Sequence, residues 1–301
     1  MNAFPLHFAL IALAAVNGPT AQNPLFQDLL KKGVKMSDGT LVKLPPPILA
    51  DALDAAGQHA ALTKVADARS PVKELVAKSY YAPVVVKVRT VKQSEGEGPA
   101  VRAVDLWFTV QGDWNTLTSR EFLESVLKPA DEGKSRVVTK SGSLSDRELA
   151  ARRLSATVKK GYEERFVYST FTLFERVEIS ATRFSVLTRG KDVVLAAGRV
   201  DPRFAKDADY PNQWRPLLRN EQAEIQLGPA HPWANAGGYA KITRLVEPAG
   251  TVLVECHVVY EEPCGWFDGA NLVKQKGPLI VLEKVRTFRR KLALAGTEKR
   301  D

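Results

Sequence analysis

Histidine is the side chain best suited to proton transfer near neutral pH, and this chain of 301 residues holds four. His7 lies in an apolar N-terminal stretch, which leaves His59, His231 and His257. A metal site built from histidine would need all three to converge. Zinc sites usually carry paired, closely spaced ligands, so no metal and no cofactor is expected. Glu255 and His257 stand two apart in a strand-like segment, and a carboxylate beside an imidazole can tune a general base. The same pairing arises far more often as a solvated cross-strand contact, and that is the reading adopted. No G-x-S-x-G, H-E-x-x-H, G-x-x-x-x-G-K-[ST] or G-x-G-x-x-G occurs.

One stretch has the composition of a binding site. Residues 201–238 carry Trp214, Arg215, Arg219, His231, Trp233 and Asn235, with Tyr210 and the Gly237-Gly238 pair. Long irregular loops in compact domains are often functional, and aromatic rings beside Arg and Asn suit stacking on sugars or peptides. The competing reading is a loop stiffened by five prolines whose tryptophans cover a sheet end, since aromatic residues bury more often than they bind. Asp105 and Trp107 share an outward strand face, with Trp107 expected beneath the N-terminal region.

The net charge is +9, and the last 18 residues hold seven Lys/Arg against two acidic groups. Arg289, Arg290 and Lys291 form a candidate anion-binding patch for an envelope component or an anionic polymer. The alternative is a charged terminus that serves solubility. Cys256 and Cys264 are the only cysteines. With Cys256 pointing inward and Pro263 bending the chain back, a disulfide between them is expected.

These side chains need a scaffold, and the chain punctuates one clearly. Phe8 to Val16 is an unbroken apolar run followed by small and polar residues, the layout of a secretory signal over residues 1–22. The run is too short to span a membrane. The chain is therefore expected to be exported to the periplasm or the medium with no membrane anchor, where nucleic acid is not an expected partner. Residues 23–80 read as a small helical region. Asn23-Pro24 opens a helix that Gly33 closes, Ser37-Asp38-Gly39 turns a hairpin, and a second helix covers Ile48 to Ala66. Residues 81–291 read as β-rich, with strands at 84–89, 104–110, 166–174, 177–188, 192–200, 238–247, 250–261 and 279–289, interrupted by a helical excursion over 118–165. Residues 292–301 form a basic tail. Short turns between strands imply antiparallel pairing. The fold class is α+β: a small helical N-terminal region followed by a large curved antiparallel sheet or open barrel.

Three short runs carry a family resemblance: Asn23-Pro24-Leu25-Phe26, Lys32-Gly33-Val34, and Val42-Lys43-Leu44-Pro45-Pro46-Pro47 leading into Asp54-Ala55-Ala56-Gly57-Gln58. Over about 45 residues the chain resembles the N-terminal region of an uncharacterised family of exported bacterial proteins. The resemblance implies no activity and supplies no catalytic residue. The sequence points to an exported, non-enzymatic binding or structural protein of the cell envelope. The alternative is a hydrolase of sugar or peptide centred on residues 201–238.

Overall fold

The computed structural model describes residues 18–92, 98–119, 121–122, 141–220, 224–267 and 272–297. Seven long strands form the frame: β3 (Val84–Lys92), β4 (Ala100–Gln111), β7 (Tyr162–Leu173), β8 (Val177–Arg189), β9 (Val193–Val200), β13 (Ala236–Arg244) and β14 (Thr251–Glu262). They pair antiparallel in the order β7-β8-β9-β13-β14-β4-β3. The sheet stays open, with β3 at one edge. At the other side, β5 (Ser141–Ser143) and β6 (Val158–Lys159) pair with β7. Where β9 ends, β10 (Gln213–Arg219) takes over the same side of β8, and β11 (Ile225–Leu227) and β12 (His231–Pro232) pair with β10. A two-residue ladder of β1 (Val34–Lys35) and β2 (Leu41–Val42) stands apart. The fold is α+β, as the sequence implied.

Both faces of the sheet are used. On one lies the N-terminal region. Leu25, Phe26 and Leu29 of α1 (Pro24–Lys31) and the hairpin residues Val34 and Met36 pack on Val186, Leu195, Tyr239 and Val259. Farther along, Leu49 and Leu62 of α2 (Ala55–Thr63) meet Leu245 and Leu253. Val65 and Leu75, the latter from α3 (Val72–Leu75), cover Val85 and Trp107. On the opposite face lies α6 (Leu272–Thr297), packed against β3, β4 and the short α4 (Trp114–Thr118). Its Val285 and Leu292 join Phe108, Val110, Val252 and Val254 in one cluster. Its Val273 joins a second, aromatic cluster around Trp214, Trp233, Trp266 and Phe267.

Local signals at the start of the chain hold. Asn23 caps α1 by accepting from the Phe26 amide, and its own amide donates to the Val186 carbonyl, which fastens the cap to β8. Gly33 has φ +87°, and a Cβ there would lie 2.5 Å from the Val42 carbonyl oxygen, so glycine is required. The second helix begins later than its composition suggests. Residues 48–54 run as an irregular arm because their backbone is bound elsewhere: the Ile48 amide donates to Glu255, and Leu49 offers its carbonyl to Lys241. Helix starts only where Asp54 caps Gly57.

Two larger expectations are overturned. Residues 279–289 are not a strand but the middle of α6. The run from Leu279 to Leu282 is short, apolar and part β-branched, which periodicity cannot assign alone. The helical spacing emerges only over a longer window, as Val273, Val281, Val285, Phe288 and Leu292. Residues 201–238 are not structureless either, since β10, β11 and β12 extend the sheet there. The excursion over 118–165 is partly docked. Ser145 forms a capping box with Glu148 at the start of α5 (Asp146–Ala150), and Leu149 buries against Phe166, Tyr168 and Phe204. The expected helix from Thr118 is represented by Ser119, which accepts from the Phe122 amide; the rest of it, with residues 123–140, lies outside the described residues.

The shared core has a direct consequence. Phe26 is fully buried against the sheet and meets Tyr239 edge-on at 4.8 Å. Phe26→Ala should cost about 3–5 kcal/mol. In urea, both the N-terminal layer and the sheet should unfold in one transition at a lower midpoint. Separate transitions for the two would show that residues 23–80 fold independently.

Candidate functional site

The residues singled out around 201–238 come together in part: Trp214, Trp233, His231 and Asn235 gather at one end of the sheet, and Arg215 and Arg219 stand along β10. Trp214 and Trp233 are buried in the aromatic cluster at the end of α6, and the Trp233 indole donates to the Glu261 carbonyl at 3.0 Å. Here the packing reading prevails, because β10 lies on β8 and carries Trp214 with it. His231 is exposed and stacks on Trp214 at 4.6 Å, and no described carboxylate pairs with it. Asn235 donates its amide to the Glu261 carboxylate. Arg215 is half-buried on β10, and Arg219 is exposed at the end of the same strand. These groups finish the sheet rather than line one cavity.

The pair Glu255 and His257 was expected on a solvated face, and the structure corrects this: both are 1% exposed. They lie on the sheet face that the N-terminal region covers. His257 Nδ1 is 2.7 Å from Asp105 on β4, and Nε2 is 3.1 Å from Glu255. An imidazole with a carboxylate acceptor at each nitrogen donates from both, which requires the imidazolium. Burial alone would depress its pKa, but the hydrogen bonds it donates to Asp105 and Glu255 outweigh this and raise the value above 6.5. Burial would likewise raise the Asp105 pKa, and the bonds from His257 and Arg89 bring it below 3.8. Arg89 clasps Asp105 from the outside at 2.8 Å. Next along the face, fully buried Lys241 pairs with Asp51 of the N-terminal arm at 2.7 Å. Asp51 also accepts from the amide and hydroxyl of Thr20. The cluster thus closes on charge: three carboxylates face Lys241, Arg89 and the imidazolium. It has the groups of an acid–base site but no route for a substrate. A cleft of about 420 Å³ opens elsewhere, between His59, Leu62, Val72 and Pro248. Among the described residues no cluster of His, Cys, Asp or Glu is arranged to hold a metal ion.

The basic patch is divided. Arg289 is 5% exposed, and its guanidinium donates to the carbonyls of Thr109, Tyr80, Ala82 and Pro83. Arg290 reaches Glu283 at 3.2 Å, and Lys291 is half-buried on α6. Helical geometry separates three residues that an extended tail would present together. The cysteines are free, contrary to the expected disulfide. β14 continues straight to Glu262. Cys256 is thus followed by six residues of extended chain, about 20 Å at the usual rise, before Cys264 stands exposed in the turn.

One feature was invisible in any single segment. The face beneath α6 carries its two clusters at either end, and the registers align two rows across six strands there, of which Leu187, Leu106 and Cys256 pack on the first cluster and Val88 on the second. One row is Ser185, Gly198, Gly238, Val258, Val104 and Val88; the next is Leu187, Ala196, Ala240, Cys256, Leu106 and Val86. None of the twelve is charged and none is fully buried, and Val258, on a central strand, is 39% exposed. Central strands of a sheet covered on both faces are normally buried. The two rows make an uncharged floor about 24 Å across at the usual strand spacing, with glycine and alanine on the β9 and β13 side leaving it deepest there.

Two measurements follow. The His257 contribution to stability should be complete below pH 6.5 and fall away as pH rises through its raised pKa. Those of Asp51 and Asp105, whose pKa values are lowered, should be complete above pH 3.8 and vanish as pH falls. Urea midpoints across pH should form a plateau between these limits. His257→Leu should cost about 3–5 kcal/mol by stranding two buried carboxylates and should erase the alkaline loss; an unchanged alkaline limb would show that the imidazolium does not carry it. Separately, burial and then the charge of Glu255 push the Cys256 thiol up to about 12. Alkylation of the native, non-reduced protein should modify Cys264 rapidly and Cys256 much more slowly, because its thiol stays protonated, as read by mass spectrometry.

A scan against protein-family models finds no match, and neither does a search of curated proteins. Among solved structures, the human StarD13 (DLC2) lipid transfer and protein localization domain is similar at a TM-score of 0.32 and 11% identity, covering 68% of this chain and 89% of that domain.

Proposed function

We propose that this chain is an exported, non-enzymatic binding protein whose ligand lies on the uncharged floor between the two clusters beneath α6. The carrying observation is Val258, a large apolar side chain left 39% exposed at the centre of the sheet. Its neighbours Gly198, Ala196, Gly238 and Ala240 take up little space. An apolar surface of this extent in a core position is a recognition surface rather than a packing fault. Apolar or amphipathic small molecules are the matching ligand class. The hydrolase reading finds less support: His257 has its carboxylates but is sealed, and His231 is open but has none. The anionic-polymer reading rests on Arg290, Lys291 and the residues beyond α6, since Arg289 is buried and too little exposed to meet a polymer.

Export is supported by the apolar run from Phe8 to Val16, and no described helix is long and apolar enough to cross a membrane. The contacts of residues 18–23 narrow where a signal would be cut. The Pro19 carbonyl accepts from Thr188, and Thr20 holds Asp51. Removal of these residues would loosen the counter-ion of buried Lys241.

Two experiments test this reading. A Cβ at Gly198 would meet nothing closer than 3.6 Å, so Gly198→Val should fold normally. Together with Ala240→Leu it should reduce binding of a fluorescent fatty-acid probe about tenfold or more, with little change in melting temperature. No probe binding to wild type, or equal binding by the filled variant, would remove the floor as the site. Expressed with its leader in a bacterial host, the protein should be recovered outside the cytoplasm with an N-terminus between Ala15 and Gly18. Recovery beginning at Met1 would end the export reading.

A further inference from the structure

A second cleft of about 370 Å³ opens between the segment Ala77–Tyr81, the end of β4 and the C-terminal half of α6. Its lining includes Lys78, Ser79, Tyr80, Tyr81 and Arg289 and no carboxylate. We propose that this cleft binds a small oxyanion, a phosphate or phosphomonoester, independently of the apolar floor.

Three observations carry the assignment. First, Arg289 is a buried cation with no counter-charge among the described residues: its four acceptors are all backbone carbonyls. Carbonyls satisfy its hydrogen bonds but leave its unit charge unneutralised in a poorly solvated setting, an arrangement that costs free energy until an anion arrives. Of the five guanidinium N–H groups, those four bonds leave one to meet a ligand. Second, Arg286 lies behind the lining: its guanidinium stands over the ring of Tyr81, a lining residue, at 5.1 Å, and its Nε is buried with no acceptor among the described residues. The one carboxylate close to it, Glu283, is 3.9 Å from Nη1 and lies nearer to Arg290, at 3.2 Å. Third, the rim is rich in donors. Lys78 is exposed, and Ser79 Oγ accepts from the Tyr81 amide, which leaves the hydroxyl proton to donate outward. Burial, and then the charge of Arg286, lower the Arg289 pKa to about 10, which agrees with two cations crowded at one place and no anion between them. A tetrahedral dianion suits this set better than a carboxylate, because it offers enough acceptors for two guanidinium groups and an ammonium at once. The volume leaves room for a phosphorylated small molecule beyond the bare ion.

Calorimetric titration of the full chain with inorganic phosphate and with glucose 6-phosphate, at low ionic strength, tests the site. Lys78→Gln and Arg286→Gln should each weaken binding roughly tenfold, the loss of one charge-assisted hydrogen bond, and both should fold as wild type does. Lys32→Gln, a change on the α1 surface, should bind as wild type. Co-sedimentation with phosphatidic acid–phosphatidylcholine vesicles distinguishes the source of the phosphate. Retention that needs Lys78 assigns it to a lipid headgroup, and binding of the soluble probes without retention assigns it to a free ligand. Absence of saturable binding by any of the three probes, or equal affinity in the two cleft variants and wild type, would overturn the proposal.

Discussion

The arrangement depends on a band of charge buried on one face of β4, β13 and β14. Asp105, Glu255, His257 and Lys241 project from a sheet whose other positions on that face are largely apolar. Charges taken out of water must be paired and hydrogen-bonded. The sheet cannot satisfy them alone, so the N-terminal arm does. The Ile48 amide, the Leu49 carbonyl and the Asp51 carboxylate each meet one of these groups, and Tyr239 donates to the Pro45 carbonyl at 2.8 Å. This explains why residues 48–54 forgo helix and why the N-terminal region shares one core with the sheet. It also makes His257 a charge-balancing residue, with a protonation state set by two neighbours and by burial.

The opposite face obeys a different rule. Its clusters at the two ends of α6 are apolar and aromatic, and they hold the helix at both ends. Between them small side chains stand on β9 and β13. A sheet needing only stability would fill this space with larger residues, since interiors pack to crystal-like density. The face that carries the buried histidine cluster is sealed, and the two rows left partly open on the other face are uncharged.

The basic character of the chain is distributed rather than displayed. Arg289 anchors α6 to the segment that leads into β3, Arg286 rests on Tyr81, Arg290 turns to Glu283, and Arg89 closes over Asp105. Part of the positive total is thus spent inside the structure, where arginine serves as a planar multi-donor.

Part of this was fixed by the sequence alone, wherever the information was local. The Asn23 cap, the Gly33 turn, the capping box at Ser145 and the paired strands from Tyr162 to Val200 each follow from residue types within a few positions of one another. So do the α+β class and the antiparallel pairing. Tertiary structure decided what depends on partners far along the chain. The polar positions of β14 alternate as an exposed strand would, and only the arrival of residues 45–51, some 200 positions away, buries them. Leu279 to Leu282 reads as strand or helix until α6 finds apolar partners four and seven residues on. Cys256 and Cys264 are close in sequence, yet β14 runs extended to Glu262 and keeps them apart. The floor beneath α6 exists only as an alignment of registers across six strands. Local chemistry fixes which element forms and where it turns; which face meets water is a property of the assembled sheet, because it depends on what remains to cover it.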